Sequence, residues 1–229
     1  MCGRYALNTS TGDIENRFRS TGTLAGMEPH YNIAPGMHIP ILLNEPEGRV
    51  IRLAKWGLVP HWAKDPAIGY KMINAQSEGI SEKPSFRSSF RSSRCLIPAT
   101  GFFEWSHIGK EKIPYYIHLK HEDLFAFAGL YSVWKDAEDH PMLTCTIITT
   151  TPNTLMKPIH DRMPVIFSKQ DEDSWLDSTV SDPSALLALL DPYPASDMTA
   201  HTVSTGVNNT RNDSADLLDY VKPAPTLFG

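Results

Sequence analysis

The sequence predicts a single α+β domain, mainly antiparallel or mixed β-sheet with a few short peripheral helices. Stretches with a period of two or rich in β-branched residues outnumber helical ones. The turns between them are short, as in packed-layer folds. No internal repeat, low-complexity tract or Pro-rich linker divides the 229 residues, because the 18 prolines are scattered. A chain of this length can bury a sizeable core.

The elements follow in chain order. A first helix starts near Thr11: polar capping residues precede it, and Asp13 and Glu15 suit the positive N-terminal end. Ile14 and Phe18 fall at i, i+4 on one face of it. Strands follow at 39–43 and 49–54. Residues 115–119 alternate, with Tyr115, Ile117 and Leu119 on one side and Tyr116 and His118 on the other. The run 124–130 does not alternate, which suits a central strand buried on both faces. Residues 142–149 alternate Leu143, Cys145 and Ile147 against Thr144, Thr146 and Ile148. A late helix is expected over 182–192, with Asp182 as cap, Pro183 in the first turn, a stripe of Leu186, Leu187, Leu189 and Leu190, and Pro192 as its stop.

Composition narrows the function classes. Hydrophobic residues are 41% and charged residues 21%, which excludes wholesale disorder. The net charge is −5, from 21 Lys+Arg and 26 Asp+Glu, and counts weakly against non-specific nucleic-acid binding. Its distribution is uneven: residues 1–120 hold 15 basic and 10 acidic side chains, residues 121–229 hold 6 and 16. A polarised molecule with one basic surface is therefore expected. The longest apolar run, Leu124 to Leu130, is far short of the ~20 residues of a membrane span, and no secretory pattern opens the sequence. Three cysteines, an odd number, fit free thiols in a reducing, cytoplasmic compartment. No Cys-x-x-Cys or His-x-x-x-His pair occurs, so neither a metal nor a cofactor is expected.

Several segments carry chemistry. Cys2 follows the initiator Met, whose removal would leave a free α-amine beside the thiol. Their reference pKa values, about 7.7–8.0 and about 8.5, leave both groups an appreciable nucleophilic fraction near neutrality. Such a 1,2-aminothiol condenses with an aldehyde to an imine and closes a five-membered thiazolidine. Gly3 permits close backbone approach and Arg4 offers a phosphate clamp. Residues 83–94 place Arg87, Arg91 and Arg94 at i, i+4, i+7 with no acidic residue, and Phe86 and Phe90 as anchors. This is either a basic ridge or a solvated helix face. Glu104 lies among aromatics in Gly101-Phe-Phe-Glu-Trp105, either desolvated toward general-acid range or facing solvent from a strand. His160, with Asp161 and Arg162 beside it, is poised near neutral pH or structural. Trp56 and Trp62 are core residues or stacking surfaces, and Asn74 is a substrate ligand or a turn residue.

Taken together, these segments resemble the SOS-response-associated peptidase (SRAP) family of abasic-site processing proteins. The matching pieces are Met1-Cys-Gly-Arg-Tyr5, Tyr31-Asn-Ile-Ala-Pro35, Trp56-Gly-Leu-Val-Pro60, Ile73-Asn-Ala75 with Ser77-Glu78, Glu82-Lys-Pro84, Arg94-Cys-Leu-Ile-Pro98, Gly101-Phe-Phe-Glu-Trp105, Ala128-Gly-Leu130, Thr146-Ile-Ile-Thr-Thr150 and Ile159-His-Asp-Arg-Met-Pro164. They stand in family order and run into the Val207-Asn208 region.

The resemblance implies one SRAP-type domain over 1–229, with its sheet curled into a pseudo-barrel. It implies a monomer that acts on single-stranded DNA containing abasic sites and on single-strand/double-strand junctions, nucleoid-associated when bound to damaged DNA. Cys2 would be the nucleophile that traps the sugar aldehyde as a thiazolidine, with an associated strand-cleaving lyase activity. Asn74 would position the sugar, Glu104 would assist ring opening and proton transfer at the sugar oxygen, and His160 would shuttle protons. Gly3, Arg4, Trp62, Gln76, Lys83, Arg87 and Arg162 would form the DNA-binding set. One position departs from the family: Gln76 stands where an Arg is common, and Lys83 and Arg87 are the candidates to compensate. Two alternatives stay open, a thiol autopeptidase that removes Met1 and a non-catalytic reader of damaged DNA.

Overall fold

Two sheets share one apolar core, and strand alternation decides which side chains enter it. The structure is a computed structural model that describes residues 2–222 except 23, 25, 26 and 110. Among the described residues the strands are β1 (Tyr5–Leu7), β2 (His30–Ile33), β3 (His38–Glu45), β4 (Gly48–Trp56), β5 (Asn74–Gln76), β6 (Arg94–Ala99), β7 (Gly101–Ile108), β8 (Glu111–Leu119), β9 (Phe125–Lys135), β10 (Pro141–Thr150), β11 (Met163–Pro164) and β12 (Met198–Thr202). The α-helices are α1 (Thr11–Phe18), α2 (Arg87–Ser92), α3 (Lys169–Leu176) and α4 (Pro183–Leu187).

One sheet is antiparallel, in the order β12-β8-β7-β1-β2. The other runs β11-β10-β4-β3-β6-β9, and β9 pairs back onto β10, which closes a five-stranded barrel from β10, β4, β3, β6 and β9. β4 and β5 run parallel to β10, so the barrel is mixed. The α+β class and the pseudo-barrel expected from the sequence are both present.

The inner layer is continuous across the sheets. Tyr5 of β1 and Phe102 of β7 both meet Phe127 of β9 edge-on, at ring distances of 5.7 and 6.0 Å. Period two then sorts the antiparallel sheet. Tyr5, Leu7, Phe102, Ile117 and Leu119 enter this core, while Ala6, Phe103, Tyr116 and Trp105 turn to the other face. Val203, Val207 and Leu217 from the C-terminal region cover that second face. The run that does not alternate behaves as expected, since Phe125 to Leu130 is buried throughout with β9 between β6 and β10.

The helices follow their caps. In α1, Ser10 and Asp13 form a reciprocal capping box, and Ile14 and Phe18 are buried. The late helix is shorter than the leucine stripe suggested: α4 ends at Leu187, and tight turns carry the chain on through Leu189 and Leu190. Leu186 and Leu190 still reach the core, so burial outlasts the helix.

The basic ridge is also shorter than the sequence suggested. α2 buries Phe86 and Phe90 and exposes Arg87 and Arg91, but Arg94 belongs to β6 and is 6% exposed. Its guanidinium donates to the carbonyls of Trp175, Phe90, Arg91, Asp177 and Val180. Four of those carbonyls lie at the C-terminal ends of α2 and α3, where helix carbonyls lack partners, and Val180 lies in the turn after α3, so Arg94 is an internal strut.

The charge halves do not separate cleanly either. Arg17 pairs with Glu172 at 2.8 and 3.1 Å, and Arg49 reaches Asp173 at 2.6 Å. Carboxylates of the acidic half thus neutralise arginines of the basic half at α3. No described helix is long and apolar enough to cross a membrane.

Candidate active site

Alternation aims Glu104 at the core. It follows Phe102 by two residues in β7, so its carboxyl points between the sheets and is only 2% exposed. The flanking Phe103 and Trp105 face the other way, so the desolvation comes from the inter-sheet layer rather than from them. Burial raises the Glu104 pKa to about 7.

Asn74 enters the same layer from the barrel side. β10 sets Ile147 opposite Asn74, Thr149 opposite Gln76 and Cys145 opposite Trp56. Paired residues share a face, and period two groups 145, 147 and 149, so Asn74, Cys145 and Trp56 look into one layer. Backbone contacts hold this segment. Gly57 has φ +129 and lies against Gly69, where a Cβ would come within 2.7 Å of the Gly69 carbonyl. The Trp56 indole donates to the Ile73 carbonyl at 2.8 Å.

The N-terminal segment meets both. Asn74 Nδ2 donates to the Cys2 carbonyl at 2.8 Å. The Cys2 thiol is fully buried, and burial together with the nearby Glu104 carboxylate pushes its pKa far above the ordinary thiol range. His160 completes the group, its Nε2 standing 3.8 Å from Glu104 Oε2. Cys2, Asn74, Glu104 and His160, spread over most of the chain, therefore converge.

The His160 ring is oriented by its own loop. Asn153 Oδ1 accepts from the Leu155 and Met156 amides, and the Met156 carbonyl accepts from the His160 amide. The Arg162 amide donates to Nδ1 at 3.0 Å, so in the neutral ring the proton sits on Nε2, toward Glu104. Asp161 lies 2.9 Å from the same Nδ1 but is 87% exposed, and becomes its acceptor only when the ring is charged. Burial holds the His160 pKa below its usual value, which favours the neutral ring. A carboxyl that titrates near neutrality beside a neutral imidazole is an acid/base pair, and the thiol beside it is held protonated at rest.

The DNA-binding candidates divide. Trp56 is core, whereas Trp62 is 52% exposed and lies outside it. Trp62 and Arg87 line a groove of about 520 Å3 with His61, Pro84, Ser88, Arg91 and Ser92. Lys83 Nζ lies 3.4 Å from Gln76 Oε1, so a cation stands beside Gln76. Gln76 lies two residues beyond Asn74 on the same side of β5 and is exposed where Asn74 is partly buried.

The two flanking arginines are committed inside the protein. Arg4 donates to Asn32 Oδ1 at 2.8 Å and to the carbonyls of Val207 and Asn208. Arg162 forms a bidentate pair with Glu78 at 2.7 and 2.8 Å and also donates to the Thr149 carbonyl. Both anchor the site's segments before any phosphate arrives, a use the phosphate-clamp reading did not foresee. Gly3 lies between Cys2 and Arg4 and is partly exposed.

The sequence reading gave no role to three residues that matter here. Glu78 ties the His160 loop to the end of β5 through Arg162. Asn32 is 1% exposed and donates to the carbonyls of Val207, Asn209 and Asn212. Asn153 shapes the His160 loop. Glu78 and Asn32 lay within quoted motifs, but no local pattern announces a partner 84 or 175 residues away. Among the described residues, one cluster has donors suited to a metal, Asp136, Glu138 and His140. It is an exposed turn in which Asp136 already accepts from the Glu138 and His140 amides.

A five-stranded mixed barrel backed by an antiparallel sheet, with Cys2, Asn74, Glu104 and His160 brought together where the two meet, defines an α+β class of protein with one buried polar site. The chain belongs to the SOS response associated peptidase (SRAP) family, whose model matches residues 1–210. It is 49% identical over 222 residues to the abasic site processing protein YoqW of Bacillus subtilis, covering 96% of this chain and 99% of that one. Identity to the abasic site processing protein HMCES of Xenopus tropicalis is 29% over 262 residues, covering 95% and 78%. A crystal structure of a protein from Bacteroides thetaiotaomicron superposes with a TM-score of 0.90 at 28% identity, covering 96% and 100%.

Proposed function

We propose that this protein processes abasic sites, capturing the open-chain sugar aldehyde in single-stranded DNA as a thiazolidine on Cys2 once Met1 is removed. The observation that carries the reading is the convergence of the Cys2 segment with Glu104 and His160 in a buried layer. The names of the YoqW and HMCES relatives support the substrate class.

The order of events follows from the pKa directions. The thiol is protonated at rest, so the freed amine attacks the aldehyde first. Glu104, at about 7, supplies a proton to the sugar oxygen as the ring opens, and His160 moves protons as the carbinolamine loses water to become an imine. The sulfur then adds to the imine carbon and closes the ring. Asn74 holds the Cys2 carbonyl and with it the register of the nucleophile. At the imine stage the adjacent sugar carbon becomes acidic; a base takes its proton, the C–H pair forms a C=C bond, and the 3′ phosphate leaves from the next carbon with its bonding pair, which gives the associated lyase activity. Trp62 stacks a flanking base, and Lys83 and Arg87 hold phosphates with Gln76 between them and the site.

The test is a mature protein, its N-terminus verified by mass spectrometry, incubated with an abasic single-stranded oligonucleotide. The expected product survives denaturation and weighs the sum of both partners less one water. Binding without a covalent product would instead identify a non-catalytic reader.

Lys83 has its own signature. Lys83→Ala is expected to weaken binding and to lower the slope of log affinity against log salt by about 0.7, the single-strand value for one phosphate contact. Fluorescence anisotropy over a salt series measures it, and an unchanged slope removes Lys83 from the interface.

A further inference from the structure

The Tyr5 hydroxyl is buried, and it finds no hydrogen-bond partner among the described residues. The whole side chain is 0% exposed, with its ring edge-on to Trp56 at 5.5 Å and to Phe127 at 5.7 Å. A buried hydroxyl without a partner costs folding stability, and phenylalanine would fill the same space without that cost. Its surroundings suggest why it persists. The layer that Trp56 shares with Cys145 and Asn74 receives Tyr5 from β1 and the Cys2 backbone from the N-terminal segment. Burial raises the pKa of the phenol well above the ordinary tyrosine value, and the Cys145 and Cys2 sulfurs, within electrostatic reach of it, add to that. The resting contact of the Cys2 sulfur is a weak one, 4.0 Å to the Arg4 carbonyl.

We propose that Tyr5 is a catalytic residue of ring closure, its O–H donating a hydrogen bond to the Cys2 sulfur while the sulfur carries negative charge. This rests on the thiazolidine reading above. In the step concerned, the thiol gives up its proton and the sulfur electron pair forms the C–S bond to the imine carbon. The C=N pair moves to nitrogen, which takes up a proton, and nothing is oxidised or reduced. Tyr5 keeps its own proton throughout, and its burial enforces this. Reversal passes through the same anionic sulfur, so the hydroxyl serves both directions.

The test compares Tyr5→Phe with the wild type, both with mature N-termini, on an abasic single-stranded oligonucleotide quenched at intervals with borohydride. Borohydride reduces the imine to an amine adduct heavier than the thiazolidine by two hydrogens, so mass spectrometry reads the partition between them. Tyr5→Phe is expected to slow closure and reversal about ten- to hundredfold, the size of a hydrogen bond to a charged group. Imine should accumulate while DNA affinity stays unchanged and Tm stays equal or rises. The partition is read only on molecules that have reacted, so a fall in the folded fraction does not disturb it. A wild-type partition in Tyr5→Phe overturns the role of Tyr5. Absence of any stable adduct in the wild type would overturn the thiazolidine reading itself.

Discussion

Cys2→Ala is expected to abolish the denaturation-resistant adduct with abasic single-stranded DNA. The chemistry makes the loss complete rather than partial. Alanine at position 2 keeps the α-amine, so an imine can still form, but no sulfur closes the ring and water reverses the imine during denaturation. Borohydride should therefore recover a trapped product from Cys2→Ala, while the untreated sample shows none. Oligonucleotide affinity should stay near wild type, because the groove of Trp62, Arg87 and Arg91 is untouched. The fold should tolerate the change at a cost of about 1 kcal/mol, typical of trimming one buried atom. The checks are denaturing electrophoresis with and without borohydride, and anisotropy for binding. An undiminished adduct in Cys2→Ala without reductant would end the thiazolidine mechanism.

Glu104→Gln has the second large effect, with opposite signs on activity and stability. Loss of a positioned general acid is expected to slow adduct formation about 10²-fold. The pH profile should change shape as well. The wild-type rate needs a free amine and a protonated Glu104, so it rises toward neutrality and falls at alkaline pH. Glu104→Gln should keep the rise and lose the alkaline fall.

Stability moves the other way. Burial raises the Glu104 pKa from 4.5 to about 7, so the folded state binds this proton more tightly than the unfolded one. The stabilisation from that proton is fully present below pH 4.5 and is lost as pH rises through about 7. Over that interval it amounts to about 3 kcal/mol at 1.36 kcal/mol per unit. Glu104→Gln should therefore raise Tm at pH 8 and leave it nearly unchanged at pH 4. Thermal unfolding at the two pH values decides, and equal differences at both would show that Glu104 is not desolvated in solution.

The elements legible in the sequence share a physical trait: each is decided within a few residues. Helix α1 was readable because Ser10, Asp13, Ile14 and Phe18 form a complete local signal. Strand β9 was readable because six consecutive buried residues leave no solvent face. Strands β1, β5 and β11, of two or three residues, are too short for a period of two to show, yet β1 and β5 flank the site. Helix α3 escaped notice because it buries Glu172 beside Trp175 and Leu176, and a carboxylate interrupts the apolar stripe.

The site candidates show the same division. Cys2, Asn74, Glu104 and His160 were all named from residue chemistry and family motifs, since the reactivity of a 1,2-aminothiol or an imidazole is a property of the group itself. Which side of β7 the Glu104 carboxyl takes, and hence its pKa, depends on strand alternation relative to a second sheet. Arg94 was misread as part of an exposed ridge for a related reason, and the internal partners of Arg4 and Arg162 were equally invisible in the sequence. Guanidinium donors are satisfied by whichever acceptors the fold brings near, and for Arg4, Arg94 and Arg162 these include carbonyls or carboxylates 83 to 203 residues away.

By itself, then, the sequence determined the reactive groups, the α+β class and the family. Only the tertiary structure decided which of those groups meet, which are dried out and which cations are already spent, because sheet register acts over distances that local pattern does not reach.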